Sequence, residues 1–170
     1  MLSDIYLVRH GAPAYNLCIP YNTPPGPDLT DHGRLEAGRA AGSLADCGVE
    51  QILASPFART AQTAELVAAR LRLPLTFTPL LAEHGPGESF DVVRARIREL
   101  LAAAEDSLYT RVAFVTHGSP IRAALIELSD GRIDLSRHTY AGGNPAPTCG
   151  IWRARRMENG QFQFDLVFTP

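Results

Sequence analysis

Two histidines in this chain end apolar runs and are followed by glycine. Ile5-Tyr6-Leu7-Val8 leads into Arg9-His10-Gly11, and Val112-Ala113-Phe114-Val115-Thr116 leads into His117-Gly118. Apolar runs of this length, bounded by polar residues, read as buried strands. In open α/β sheets ligands sit beyond the carboxyl ends of the strands. A third run, Gln51 to Ala54, ends in Ser55-Pro56, with Arg59 one helical turn later. If the three strands are parallel, Arg9, His10, Arg59 and His117 share one rim. Two guanidinium forks and two imidazoles suit a phosphate dianion. The glycines after each histidine leave room for a ligand to approach the backbone. A neutral imidazole held there can attack phosphorus and form a phosphohistidine, splitting hydrolysis into two steps. Its other ring nitrogen then needs a fixed acceptor, for which a backbone carbonyl is expected. The leaving alkoxide needs a proton, and the Leu80 to Ser89 loop carries two carboxylic acids, Glu83 and Glu88, that can supply it.

Plainer readings compete at each position. A single histidine at a strand end reads as a satisfied structural residue; it is the pairing of two His-Gly endings, with arginines beside them, that favours a site. A zinc site from His10, His84 and His117 lacks recognisable ligand spacing, and arginines oppose a cation, so no metal is expected. His32 and His138 read as surface residues. Arg94, Arg96 and Arg98 read as a solvated helix face, with one of them in a buried ion pair. All 16 basic residues are arginine and none is lysine, so arginine at any one position is weak evidence and its place in the fold must carry the argument.

The elements that must deliver these side chains follow in order. After the first strand, the 12–29 loop holds Pro13, Pro20, Pro24, Pro25 and Pro27, which exclude a regular helix or central strand. A loop this long that springs from the His10 end is a candidate cover for the site. Thr30 is a predicted N-cap for a helix running to Cys47, with Gly48 as its stop. Ser55-Pro56 is a predicted cap and first helical proline for the next helix, whose apolar face carries Ala61, Ala64, Val67 or Ala68, and Leu71. Leu75 to Thr78 is a candidate third strand. A helix with Phe90, Val93, Ile97, Leu100 or Leu101, and Ala104 at helical spacing follows the acidic loop. Ser119-Pro120 repeats the cap-and-proline pattern for a helix to Leu128. Residues 130–147 read as irregular. Thr148 to Arg156 and Gln161 to Phe168 read as a terminal hairpin. The alternation of strands and helices predicts an α/β fold, a three-layer α/β/α sandwich with a mostly parallel central sheet.

Bulk properties bound the function. At 170 residues one domain is expected, spanning 1–170, with small insertions at 12–29 and 130–147. A net charge of −2 gives no electrostatic case for nucleic acid or an anionic membrane as partner. Cys18, Cys47 and Cys149 form no Cys-x-x-Cys pair and are expected to be reduced thiols. With no basic leader or apolar signal core before the first strand, and no apolar run near the roughly 20 residues a bilayer needs, a cytoplasmic location is expected.

Arg9-His10-Gly11 also resembles the Arg-His-Gly motif of the histidine phosphatase superfamily, which includes the cofactor-dependent phosphoglycerate mutases. Leu29-Thr30-x-x-Gly33-x-x-Glu36-Ala37 resembles its Leu-Thr-x-x-Gly-x-x-Gln-Ala segment, with Glu for Gln. Ser55-Pro56-Phe57-Ala58-Arg59-Thr60-Ala61-Gln62-Thr63-Ala64 is similar to its Ser-x-x-x-Arg-x-x-Gln-Thr-Ala segment. Gly87-Glu88-Ser89 and Thr116-His117-Gly118 resemble two further motifs in the family's order. The resemblance implies a phosphoglycerate mutase-like fold and His10 as the phosphorylated nucleophile. It implies Arg9, Arg59, His117 and the Gly118 N–H as the phosphoryl clamp, Asn16 as a phosphoryl or substrate contact, and Glu83 as general acid. No metal or other cofactor is implied.

Departures shape the expectation. Ala12-Pro13 replaces the usual Glu-Thr, and Gly-Glu-Ser arrives so soon after Glu83 that Glu88 competes for the acid role. The chain is short beside the mutases, leaving little to shield a phosphoenzyme from water, which favours a phosphatase. The leading expectation is therefore a metal-independent phosphomonoester hydrolase acting on a small phosphorylated metabolite. The alternatives are a protein phosphohistidine phosphatase, a phosphoglycerate mutase-type phosphotransferase, and an inactive phosphate-binding module.

Overall fold

The apolar strand over Asp4–Arg9 (β1) is buried along its whole length and lies inside a six-stranded sheet. The computed structural model describes residues 1–15 and 18–170. The other strands are Gln51–Ala54 (β2), Leu75–Phe77 (β3), Arg111–Thr116 (β4), Ile151–Arg156 (β5) and Phe162–Phe168 (β6), in the order β3-β2-β4-β1-β5-β6. β3, β2, β4 and β1 pair in parallel; β5 and β6 complete the sheet antiparallel, as the terminal hairpin. The sheet is thus mixed, with a parallel majority.

Strand periodicity sorts the core into two halves. Ile5 and Leu7 of β1, with Val112 and Phe114 of β4, face one cluster, which Val93, Ile97 and Leu100 of the helix Phe90–Glu105 (α3) and Ile121 and Leu125 of the helix Gly118–Leu128 (α4) complete. Tyr6, Val8, Ala113 and Val115 face the other. There the helices Asp31–Leu44 (α1) and Ala58–Leu71 (α2) pack mainly through alanines, among them Ala37, Ala40, Ala41 and Ala64. Sheet and helices therefore form three layers.

Helix starts show where local signals held and where they yielded. The Thr30 hydroxyl accepts from Gly33 N at 2.9 Å and caps α1 as expected. That helix ends at Leu44, short of Cys47, and turns run on to Gly48, whose φ is +67°. Ser55 and Pro56 do not open α2. Phe57 is its N-cap, without a side-chain cap, and the Ser55 hydroxyl accepts from Phe57 N at 3.3 Å. Ser119-Pro120 likewise lies inside α4, whose N-cap is His117. Proline is tolerated throughout a first turn, where backbone N–H groups have no helical partner, so it marks the turn and not the exact cap.

The 12–29 loop is closed at its base. Pro13 and Leu29 form an antiparallel bridge, Ala14 N donates to Asp28 O at 2.7 Å, and Thr30 N donates to Ala12 O at 2.9 Å. Gln62 of α2 accepts from Leu29 N at 2.8 Å and donates to Asp28 at 2.7 Å. Residues 130–147 are irregular apart from a short 3-10 turn at Ala141–Gly143. His32 is exposed, 3.3 Å from Glu36. His138 is not a surface residue: it is half-buried, its ring edge-on to Trp152 at 4.7 Å between centroids. Among the described residues no helix is long and apolar enough to cross a membrane.

Candidate active site

β4 lies between β2 and β1, with Arg9 opposite Thr116 and Ala54 opposite Val115. The residue following each strand therefore arrives at one rim: His10 after β1, His117 after β4 and Ser55 after β2. The His10 and His117 ring centroids are 5.2 Å apart. Both rings are buried.

Each ring is held by one nitrogen. His10 Nδ1 lies 2.8 Å from Gly11 O. A carbonyl can only accept, so Nδ1 carries the proton and Nε2 keeps its lone pair. Among the described residues Nε2 has no partner. His117 Nε2 meets Ser55 Oγ at 2.8 Å and Thr60 Oγ1 at 3.1 Å. Its Nδ1 faces Glu83 Oε2 at 3.5 Å. Burial first, then the Arg59 and Arg9 charges, hold His10 well below its ordinary value of 6.5. Burial, then His10, Arg59 and Arg9, do the same for His117. Both are neutral at neutral pH, the state a nucleophilic imidazole needs.

The cations are equally constrained. Arg59, in the first turn of α2, is fully buried. Its Nη1 donates to Tyr21 O at 3.0 Å, its Nη2 lies 3.4 Å from Glu83 Oε2, and its guanidinium carbon sits 4.1 Å from the Tyr21 ring centre. Arg9 donates to Ala146 O at 2.8 Å. Asn144 lies over Gly118 so closely that a Cβ there would stand 1.5 Å from its Oδ1, so any other residue must displace the Asn144 side chain. Gly33 packs against the β1 exit in the same way, its missing Cβ 2.2 Å from Ala12 O.

The structure separates the two carboxylates. Glu83 reaches the histidines: one nitrogen each of His10 and His117 and one Glu83 carboxylate oxygen lie within 4.8 Å of one another. Its other oxygen accepts from His84 N at 2.9 Å. Glu88 is instead gripped by Arg96 through Nε at 3.0 Å and Nη2 at 2.9 Å, and accepts from Gly85 N at 2.9 Å. His84 does not join a metal set with His10 and His117, since its Nε2 donates to Glu88 O at 2.6 Å. The His10, Glu83, His117 trio has metal-ligating residue types, but Arg59 beside Glu83 opposes a cation there.

A cavity of about 930 Å3 has a lining that includes Arg9, Tyr15, Tyr21, Glu83, Tyr140 and Asn144; the buried His10, Arg59 and His117 are not part of that lining, and Glu83, close to all three, joins them to it. Asn16 lies outside the described residues.

A family model described as the histidine phosphatase superfamily, branch 1, matches residues 5–85 and 82–161. The chain belongs to that superfamily. A probable phosphoglycerate mutase GpmB of Erwinia tasmaniensis is 30% identical over 104 residues, 61% of this chain and 46% of that protein. The chain spans about half the length of the first curated relatives it matches. A mycobacterial glucosyl-3-phosphoglycerate phosphatase in complex with VO3 superposes with a TM-score of 0.79 at 20% identity, covering 96% of this chain and 98% of that one. A putative alpha-ribazole-5'-P phosphatase of Escherichia coli K-12 superposes with a TM-score of 0.77 at 16% identity, covering 99% and 97%. At these identities the superpositions establish the phosphoglycerate mutase-like fold.

Several contacts in this site were missed from sequence. Ser55 and Thr60 orient His117, and Thr63 accepts from Gly11 N at 3.0 Å. Their signal was a run of hydroxyls at the strand end and first turn beside Arg59. Two of the three helix arginines, not one, make half-buried ion pairs: Arg94 with Glu127 and Arg96 with Glu88. Arg96 also donates to Leu80 O at 3.0 Å and Ala82 O at 3.2 Å. It thereby pins the turn that carries Glu83. Tyr21 was hidden among loop prolines.

Proposed function

We propose that the protein hydrolyses phosphomonoesters of small metabolites through phospho-His10. Arg9, Arg59, His117 and the Gly118 N–H hold the phosphoryl oxygens. The His10 Nε2 lone pair attacks phosphorus as the bond to the leaving oxygen breaks, and Glu83 in its acid form protonates that oxygen. Glu83, now a carboxylate, takes a proton from water. The water oxygen then bonds to phosphorus, the N–P bond breaks, and phosphate leaves with neutral His10 restored. The arginines offset charge on the equatorial oxygens in both steps.

The observation that carries this reading is the His10 Nδ1 contact to Gly11 O, which leaves Nε2 as the free nucleophile on a ring that has a nitrogen within 4.8 Å of a Glu83 oxygen. The 12–29 and 130–147 loops act as the cap of a single domain: Tyr15 and Tyr21 come from the first, Tyr140 and Asn144 from the second, and all four line the cavity. The test is hydrolysis of p-nitrophenyl phosphate. His10→Ala is expected to lower kcat by about 10⁴-fold or more, and wild-type enzyme quenched in turnover should carry an acid-labile, base-stable phosphoryl group. Near wild-type activity in His10→Ala sinks the mechanism.

A further inference from the structure

The body of the substrate also has a chemistry written into the cavity. We infer that it is a neutral ring, joined to the phosphoryl group through an alcohol oxygen and laid against Tyr15; this rests on the phosphatase reading above. Two independent observations point there.

The first is charge. Among the described lining residues Arg9 is the one arginine, and the chain has no lysine. Arg59 is fully buried outside the lining, with Nη1 on Tyr21 O and Nη2 toward Glu83. Both arginines belong to the phosphoryl clamp. The lining carboxylates are Glu83 and Glu88, the latter already paired with Arg96. Arg122, which donates to Gly143 O at 2.6 Å, is not part of the lining. A second anionic group on the substrate, such as the carboxylate of a phosphoglycerate, would meet Glu83 and, beyond the clamp arginines, only the His84 imidazole, whose Nε2 is already on Glu88 O.

The second is the aromatic wall. Tyr15 is 84% exposed, an unusual setting for a large ring, and it lines the cavity. It stacks on Tyr21 at 5.7 Å with 12° between planes, and Tyr21 covers the Arg59 guanidinium. Tyr21 thus couples the phosphoryl clamp to an aromatic face at the mouth. A cavity of about 930 Å3 is far larger than a three-carbon phosphate fills, so a body reaching from the clamp to that face is accommodated. Flat aromatic faces take a planar ring or the apolar face of a sugar. Asn22, Ser119, Tyr140 and Asn144 offer neutral polar groups around it.

The experiment compares benzyl phosphate, glycerol 3-phosphate and 3-phosphoglycerate, all esters of alcohols, so that leaving-group chemistry does not dominate. Wild-type kcat/KM should be at least about 10-fold higher for benzyl phosphate than for glycerol 3-phosphate, and lowest for 3-phosphoglycerate. Tyr15→Ala should raise KM for benzyl phosphate about 10-fold, clearly more than it raises KM for glycerol 3-phosphate, with rescue by Tyr15→Phe. Equal use of all three substrates, or a Tyr15→Ala effect of the same size on each, overturns the ring proposal. His10→Ala inactivity on benzyl phosphate would in that case still uphold the phosphatase reading. Failure of wild-type enzyme to hydrolyse any of the three, or p-nitrophenyl phosphate, overturns both.

Discussion

The two histidines at the floor of the site follow adjacent parallel strands, whereas Tyr15, Tyr21, Tyr140 and Asn144 at its mouth hang from loops. At the floor every position is over-determined. His10, His117 and Arg59 are buried, each ring or fork has a fixed partner, and the sheet register sets their spacing. At the mouth, Tyr15 stands largely in solvent and keeps its place by stacking on Tyr21. In the proposed mechanism, chemistry that tolerates little displacement is thus built on the sheet, and the part proposed to select a substrate on segments whose change costs the core little.

The two glutamates test that division most sharply, because they sit five positions apart in one loop. Glu83 belongs to the floor, near both histidines; Glu88 belongs to the mouth, tied to Arg96. Glu83→Gln should lower kcat on an alkyl phosphate by about 10²–10⁴-fold, the span expected for a lost general acid. Glu88→Gln should stay within about 10-fold. The comparison is read by kcat on benzyl phosphate, and a reversed order would hand the acid role to Glu88.

Arg96 blurs the border, since it grips Glu88 and also holds the carbonyls of Leu80 and Ala82, just before Glu83. It touches no reacting atom, so it is a positioning residue. Arg96→Ala should reduce kcat by about 10-fold through a misplaced Glu83 while KM changes little. Arg96→Lys should rescue only part of the loss, because one ammonium cannot reproduce the fork on Glu88 together with the carbonyl contacts. A pure KM effect would move Arg96 to the substrate-binding mouth.

The same division explains what was readable from sequence. Apolar runs cut off by Arg9-His10-Gly11 and by His117-Gly118 announce strand ends, and parallel pairing then brings the two histidines together. Thr30 was readable as a cap because its hydroxyl answers a local need of the helix. Ser55 has the same chemistry, but its hydroxyl is drawn to His117 Nε2 across the sheet, so the local rule misplaced the start of α2. Arg96 looked like part of a solvated face, because its partners lie in a turn outside its own helix. Glu83 and Glu88 could not be separated along the chain; the distinction depends on which one Arg96 reaches in space.

Acid stability separates floor and mouth once more, through the sign of each shift. His10 and His117 titrate in the folded state well below their ordinary 6.5, chiefly through burial. Below about pH 6.5 the unfolded chain therefore takes up protons that the folded chain refuses. Their contribution is complete above that pH and is lost as pH falls toward the folded values. For Glu88, burial raises the pKa, but the Arg96 and Gly85 hydrogen bonds and nearby positive charge outweigh it, so the net shift is downward from 4.5. Its contribution is present above about pH 4.5 and is lost as pH falls below it. Thermal unfolding followed against pH should show two windows. His10→Gln should flatten the decline that begins near pH 6.5 and leave the lower one, whereas Glu88→Gln should do the reverse, with the smaller effect because the residue is partly exposed. An unchanged slope below pH 6.5 in His10→Gln would mean that the ring titrates in the folded state as it does in the unfolded chain, and the downward shift by burial would be refuted.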